Sequence, residues 1–373
     1  MLRALALARR SLGKVEPNPL VGCVLVRDGK IVAEGFHQKY GGPHAEVEAL
    51  RDAASKGVDP AGCHVYVTLE PCSHHGKTPP CTDALIAAKV SRVFAAMIDP
   101  FPQVAGQGVA RLRTAGIAVE TGLCETEARE LNRAYLKRMT VGLPYVIAKW
   151  AQTLDGWIAI TPSDCASPET RWISNEQSRA YVHELRVRMD AVIVGIGTVL
   201  ADDPLLTPRP RRRLSWHRQP RRVVIDPSLR LPVGARLLQS LPQPLTIAVS
   251  RERAVDTSRV YELKLQGVEI IELPTLNDDN HTLDLVPLLR HLASVHGSTN
   301  VMIEGGATLL GHAFSQRVID EALVFIAPKL AGDDGSVPVV RGLKHTIIRE
   351  MTAIAPHKMK WFGDDVMMEY RIR

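Results

Sequence analysis

The sequence predicts an α/β protein in two domains. Short apolar, β-branched runs alternate with stretches of helical periodicity, the pattern of sheets covered by helices. The chain has 373 residues, more than one hydrophobic core usually serves. At Gly142-Leu143-Pro144 the pattern breaks and restarts with strand-like Tyr145 to Trp150. The boundary is therefore placed at residue 143, giving domains 1–143 and 144–373.

The elements follow in order. Met1 to Arg10 sets basic residues around a short apolar run, too short for the apolar core of a signal peptide and readable as an amphipathic helix. Leu20 to Val26 is a strand, Arg27-Asp28-Gly29-Lys30 a turn, and Ile31 to Phe36 a second strand, together a hairpin. Before it, Glu16-Pro17-Asn18-Pro19 is a rigid bend that holds the Asn18 amide in one place. Residues 44–54 read as a helix, 64–69 as a strand, 81–89 as a helix and 90–98 as a strand. A helix (107–115), a strand (117–121) and a helix (124–139) complete the first half. The second half reads strand 145–150, helix 175–188, strand 190–195, short helix 197–201, then strands 221–225, 244–249 and 268–272. Helix 284–294, strand 300–303, helix 306–316, strand 321–327 and a strand-like tail over 358–372 follow.

Hydrophobic residues make up 45% and charged residues 23% of the chain, an ordinary globular balance. No stretch has the apolar length that spans a membrane. Of the six cysteines, Cys23, Cys63, Cys124 and Cys165 show no framework spacing, which fits reduced thiols and a cytoplasmic protein. A formal charge of +6 suits anionic small substrates as well as nucleic acid.

The chemistry concentrates between Pro43-His44-Ala45-Glu46 and Glu70-Pro71-Cys72 to Cys81. One imidazole and two thiolates are ligands that Zn²⁺ prefers, and three protein ligands leave the fourth position open, as in catalytic sites. A bound Zn²⁺ brings the pKa of water to about 7. Glu46, two residues from the first ligand, is placed to carry a proton from that water to a leaving amine. The His-x-Glu and Pro-Cys halves match the signature of zinc nucleobase deaminases, which places its last cysteine three residues on; here it is Cys81. A structural zinc would need a fourth ligand, for which His74, His75 and Cys63 are available. Taken singly, His44 also reads as a capping histidine and the two cysteines as buried thiols.

Two runs stand out in the second half. Val301 to Leu309, with Glu304-Gly305-Gly306, is a strand, a glycine turn and a helix start, where backbone N–H groups can meet a phosphate. Gly195 to Arg209 offers hydroxyl, carboxylate and guanidinium groups after a strand, at the sheet end where α/β proteins bind ligands. Arg209 can hold a phosphate bidentately. The arginine-rich run 209–222 reads mainly as a solvated loop, with Trp216 its one aromatic, too few to stack bases.

Together these residues resemble the bifunctional riboflavin-biosynthesis deaminase/reductase family over nearly the whole chain. The resemblance rests on Asn18-Pro19-Leu20-Val21-Gly22, Pro43-His44-Ala45-Glu46, the run Thr68 to Cys81, Thr153-Leu154-Asp155-Gly156, Arg171-Trp172-Ile173-Ser174, Thr198 to Arg209 and Glu304-Gly305-Gly306. It implies an N-terminal cytidine-deaminase-like α/β/α domain and a C-terminal dihydrofolate-reductase-like α/β domain. The implied substrate is 2,5-diamino-6-ribosylamino-4(3H)-pyrimidinone 5′-phosphate. The first domain would deaminate it hydrolytically with one Zn²⁺ per chain, on His44, Cys72 and Cys81, and with Glu46 as proton shuttle. The second would use NADPH to reduce the ribosyl group to ribityl. By the family's motif, Asn18, Lys77, Thr170, Arg186, Leu206, Arg209 and Glu304 face substrate. Ala151, Trp172, Thr198, Asp202, Gly306, Ala307 and Thr308 face the cofactor. The implied partners are small molecules and a second copy of the chain, not nucleic acid or membrane.

Three departures mark this chain: a short N-terminus, Trp157 where the family commonly has a cation, and a longer stretch over 161–169. Trp157 keeps a further reading open, a deaminase whose second half only binds or assembles. A nucleic-acid base deaminase would need basic and aromatic residues around the zinc, and few aromatics lie near His44.

Overall fold

A computed structural model describes residues 1–74, 79–102, 104–159, 172–210, 219–240, 242–252, 257–276, 282–332, 335–343 and 353–372. The chain divides into two units, Met1–Leu143 and Pro144–Arg373. The fold is α/β in both.

The first unit runs α1 (Leu2–Ala8), β1 (Gly22–Arg27), β2 (Lys30–Phe36), α2 (Ala45–Ser55), β3 (His64–Val67), α3 (Cys81–Ala87), β4 (Arg92–Ala95), α4 (Gln107–Thr114), β5 (Ala118–Thr121), α5 (Glu125–Leu131) and α6 (Arg133–Val141). Its sheet has the order β2-β1-β3-β4-β5. β1 is antiparallel to β2 and β3, while β3, β4 and β5 are parallel. The hairpin turns on Asp28 and Gly29, both at positive φ, as a two-residue turn matching the strand twist requires. Two strand glycines let helices lie close against the sheet. A Cβ on Gly22 would meet the Ala4 carbonyl of α1, and one on Gly35 the backbone of α2 at Ala49. On α2, Ala45, Ala49 and Ala53 bury one small-residue stripe.

The sequence predicts one helix over 124–139, but the structure has two. Asn132 separates them because its buried amide donates to the Leu20 carbonyl at 3.0 Å and accepts from the Leu20 N–H at 2.8 Å. Satisfying that backbone outweighs helical continuity.

The second unit runs β6 (Tyr145–Thr153), β7 (Trp157–Ala159), α7 (Glu176–Val187), β8 (Ala191–Gly195), α8 (Ile196–Asp202), β9 (Arg221–Ile225), α9 (Arg236–Gln239), β10 (Leu245–Ser250), α10 (Thr257–Leu265), β11 (Glu269–Leu273), α11 (Leu285–Ser294), β12 (Asn300–Glu304), α12 (Ala307–Ser315), β13 (Glu321–Ala327), β14 (Val337–Pro338), β15 (Ile354–Phe362) and β16 (Asp365–Ile372). Nine strands form one sheet, β11-β10-β9-β8-β12-β6-β13-β16-β15, and β14 pairs with β7 separately. From β11 to β13 every neighbour is parallel; β16 and β15 close the edge as an antiparallel hairpin. Parallel strands are covered on both faces, which is why β8 and β10 are apolar runs without alternation. α9, α10 and β7 were not expected from the sequence.

Thr153-Leu154-Asp155-Gly156 has a structural explanation. The Asp155 carboxylate accepts from Thr153 Oγ1 at 2.5 Å and from the Ala331 and Gly332 N–H groups at 3.0 and 2.9 Å. The Thr153 hydroxyl, with these amides, holds Asp155 down to about 2. Trp157 is half-buried, donates its N–H to Thr153 Oγ1 at 3.0 Å and pairs with Pro338.

Candidate active sites

In the first unit the ligand residues come from two helix starts and one loop. His44 was expected in the first helical turn; it is instead the extended N-cap of α2 (φ −75°, ψ 165°). Cys81 is the first residue of α3, and Cys72 lies in the loop after β3. His44 Nδ1 sits 3.5 Å from Cys72 Sγ and 3.3 Å from Cys81 Sγ. Tetrahedral zinc with ordinary bond lengths separates nitrogen and sulfur ligands by about 3.5 Å, so the donor set fits the ion in kind and in size. Neither Cys63 nor His74 joins this group among the described residues; His75 lies outside them.

The Cys81 N–H, at the start of α3, donates to Cys72 Sγ at 3.3 Å. The Cys81 thiol and the His44 ring, together with that amide, bring Cys72 down to about 4, while Cys72 and burial push Cys81 up. The helix-start amide and the imidazole thus favour the thiolate form of Cys72, the form that binds metal. Glu46, on the first turn of α2, is 3% exposed. Burial, then the neighbouring Cys72, raises its carboxyl to about 7.

The loop carrying Cys72 is fixed from behind by Glu70, which is buried. Its Oε2 accepts from the N–H groups of Asp99 at 3.2 Å and Gly106 at 2.9 Å, and its Oε1 from Val109 at 3.1 Å. The carboxylate thus serves as a remote cap for α4. Gly108 in that turn is obligatory, since a Cβ would lie 2.0 Å from the Pro71 carbonyl.

Sequence reasoning missed His37. Its Nδ1 lies 2.9 Å from the Pro43 carbonyl and its Nε2 3.1 Å from Asn18 Nδ2. A carbonyl only accepts, so Nδ1 carries the proton and Nε2 accepts from the Asn18 amide. That leaves Asn18 Oδ1 and one N–H for a ligand. The His37 ring also meets the His44 ring edge-on at 5.4 Å. A polar residue closing an apolar hairpin strand was the available signal. Lys77 lies outside the described residues.

In the second unit, Glu304 ends β12 and pairs bidentately with Arg186 of α7, at 2.6 and 2.7 Å. Burial would raise the Glu304 carboxyl, but Arg186 outweighs it and holds it low. Lys149 of β6 neighbours them electrostatically, and burial lowers its ammonium. It was not among the expected residues; a lysine inside an apolar strand was the signal. His183, one turn before Arg186, accepts the Arg209 N–H at Nδ1, 3.2 Å away. Burial, then Arg186 and Arg209, brings His183 down to about 4. Leu206, in the same loop as Arg209, is buried at φ 57°.

Thr198 Oγ1 of α8 accepts from the Gly306 N–H at 3.2 Å. Gly305 has φ +135°, and a Cβ there would lie 3.0 Å from Thr198 Oγ1. Gly306 caps α12, Ala307 is buried and Thr308 is exposed in the first turn. Such a glycine turn before a helix start suits a dinucleotide phosphate. Ala151 pairs with Phe325 across β6 and β13. The exposed Trp172 ring lies under Arg179 at 4.9 Å, and Asp202 ends α8. The contacts thus join Arg186 with Glu304, His183 with Arg209, and Thr198 with Gly306. Thr170, Arg171 and the 161–169 stretch lie outside the described residues.

Comparison with known proteins accounts for both units. Residues 1–97 match the cytidine and deoxycytidylate deaminase zinc-binding region, and residues 144–366 match the RibD C-terminal domain. The riboflavin biosynthesis protein RibD of Escherichia coli is 42% identical over 384 residues, covering 99% of this chain and 97% of its own. That of Aquifex aeolicus is 39% identical, covering 100% and 97%. Among solved structures, Acinetobacter baumannii RibD aligns with a TM-score of 0.86 at 37% identity, covering 100% and 97%. A diaminohydroxyphosphoribosylaminopyrimidine deaminase/5-amino-6-(5-phosphoribosylamino)uracil reductase from Thermotoga maritima aligns at 0.82 with 34% identity and the same coverage.

Proposed function

The chain belongs to the RibD family of riboflavin biosynthesis proteins, bifunctional deaminases and reductases that use zinc and NADPH, and from that premise we propose how its residues divide the work. The convergence of His44, Cys72 and Cys81 beside a buried Glu46 carries the reading.

Residues 1–143 form the deaminase domain, and His44 Nδ1, Cys72 Sγ and Cys81 Sγ hold the ion. Bound there, Zn²⁺ supplies the Lewis acidity that makes water nucleophilic at neutral pH. Glu46, balanced near 7, takes the proton from the attacking water and passes it to the departing amine. Asn18, its amide oriented by His37, reads the pyrimidine edge. Lys77 completes this substrate set. The substrate is the 2,5-diamino-6-ribosylamino-pyrimidinone 5′-phosphate.

Residues 144–373 form the reductase domain. NADPH supplies a hydride, and the protein contributes position and charge. Thr198, Gly306, Ala307 and Thr308 receive the cofactor's phosphates, and Ala151, Trp172 and Asp202 complete its site. Arg186 fixes Glu304, whose carboxylate orients the opened sugar, while Leu206, Arg209 and Thr170 complete the substrate site, Arg209 on its phosphate. Lys149, an ammonium lowered by burial beside Glu304, gives its proton to the sugar ring oxygen as that C–O bond opens, balancing the hydride added at the anomeric carbon. No helix among the described residues is long and apolar enough to cross a membrane. The five cysteines among the described residues are free thiols, and on that footing we place the protein in the cytoplasm, as a self-associating enzyme.

The test is a coupled assay. Protein receives the substrate with and without NADPH while ammonia release and NADPH oxidation are followed together. Ammonia in both samples, with oxidation only after deamination, is the expected result. Ammonia without oxidation sinks the reductase assignment and points first to Trp157. Neither signal from zinc-loaded protein sinks the reading as a whole.

A further inference from the structure

Arg221, Thr246 and Glu269 stand at the N-terminal ends of the neighbouring parallel strands β9, β10 and β11. Glu304 and Gly195 occupy the opposite, C-terminal ends of β12 and β8. The two Glu269 oxygens are used differently. Oε2 accepts from Thr246 Oγ1 at 2.7 Å and from Arg221 Nη1 at 3.2 Å. Oε1 faces His291 Nε2 at 2.8 Å and His296 Nε2 at 3.1 Å, the latter also lying 3.0 Å from Oε2. His291 is on the last turn of α11 and His296 just past its end. Their rings meet edge-to-face at 5.1 Å, and the three donor atoms lie within 4.8 Å of one another.

We propose that Glu269, His291 and His296 form a second metal site, a two-imidazole, one-carboxylate set for Zn²⁺ or a similar divalent transition metal. Tetrahedral zinc with nitrogen and oxygen bonds of about 2.0–2.1 Å separates its ligands by about 3.3 Å. The two histidine-to-carboxylate spacings need to open by about half an ångström or less. Thr246 and Arg221 hold the far carboxylate oxygen, the outer support that ligating carboxylates ordinarily have. A carboxylate only accepts, so each Nε2 here carries a proton; metal binding displaces it, leaving each neutral ring coordinated through Nε2 with its one proton on Nδ1. Two neutral rings and one carboxylate beside the Arg221 cation bind less tightly than one ring and two thiolates. The second site therefore fills after the first. It lies at the sheet end away from Glu304 and ties edge strand β11 to α11, a structural role.

Metal-free full-length protein titrated with Zn²⁺, and separately with Co²⁺, tests this. Wild type is expected to take two equivalents, the second more weakly. His291→Ala/His296→Ala takes one and retains both activities. His44→Ala/Cys72→Ser retains one equivalent, whose Co²⁺ spectrum lacks thiolate charge-transfer bands. Filling this site raises the Tm reported by tryptophan fluorescence in wild type and in His44→Ala/Cys72→Ser, and not in His291→Ala/His296→Ala. A wild type that saturates at one equivalent overturns the proposal, as does a folded His291→Ala/His296→Ala chain that still takes two. If that variant misfolds by circular dichroism, wild-type stoichiometry decides alone.

Discussion

Glu70→Gln tests whether one buried carboxylate fixes the metal loop. The carboxylate accepts three backbone N–H groups, from Asp99, Gly106 and Val109. Glutamine retains one acceptor oxygen. Placed where Oε2 was, it still serves Asp99 and Gly106, but its NH₂ then opposes the Val109 N–H. One stranded buried donor costs about 1–3 kcal/mol, and loss of charge assistance in the other two bonds about 1 kcal/mol each. The sum is about 3–5 kcal/mol against the first unit. All five tryptophans lie beyond residue 143, so fluorescence follows the second unit while far-ultraviolet circular dichroism follows both. Urea titration with the two signals should show the first unit's transition moving to lower urea while the fluorescence midpoint stays. Because Cys72 follows Glu70 by two residues, Zn²⁺ affinity measured by chelator competition should fall about 10- to 100-fold, the usual effect of losing outer support. Stability within about 0.5 kcal/mol of wild type, with unchanged zinc affinity, would refute the reasoning.

The other predictions are shorter. Glu46→Gln should keep its zinc by elemental analysis and lose deamination by about 10²- to 10⁴-fold, with NADPH oxidation intact on pre-deaminated substrate. Gly305→Ala, forced to φ +135° against Thr198, should lower NADPH affinity by calorimetry while ammonia release continues. His183 is held at about 4 against an ordinary 6.5. Between those values the unfolded chain binds the extra proton, so the second unit loses stability as pH falls from 6.5 to 4. The effect is about 2 kcal/mol after discounting for partial exposure, and His183→Asn, measured by fluorescence-detected unfolding, should remove most of it.

The metal triad was legible because its chemistry is written in residue type: imidazole, thiolates and a carboxylate two places on have few other reasons to gather. The sheets were legible for the same kind of reason, as β-branched runs buried on both faces cannot hide. What was not legible is support that crosses the fold. Glu70 reads as part of a motif, yet its work is to cap α4 almost forty residues away. Asn132 sits in a helical pattern and breaks it through a strand entry over a hundred residues earlier. His37 and Lys149 carry only a faint local signature, a polar side chain in or just after an apolar strand, since both matter through what burial sets beside them. α9 and α10 were missed because neighbouring loop-like and polar residues dilute their periodicity.

β6 opens the second unit, yet it lies between β12 and β13, the two strands that give its edges partners. A ribosome must therefore make residues 300–304 before the unit's first strand gains one partner, and residues 321–327 before it is hydrogen-bonded on both sides. At ordinary elongation rates that interval lasts roughly 10–40 s. For most of it an apolar strand waits unpaired, while every strand of the first unit has already emerged. Folding is consequently staged along the chain, and β6 is the segment most in need of shielding during synthesis. A chain cut short after β11 would keep a foldable first unit and leave the second without the partners of its central strand.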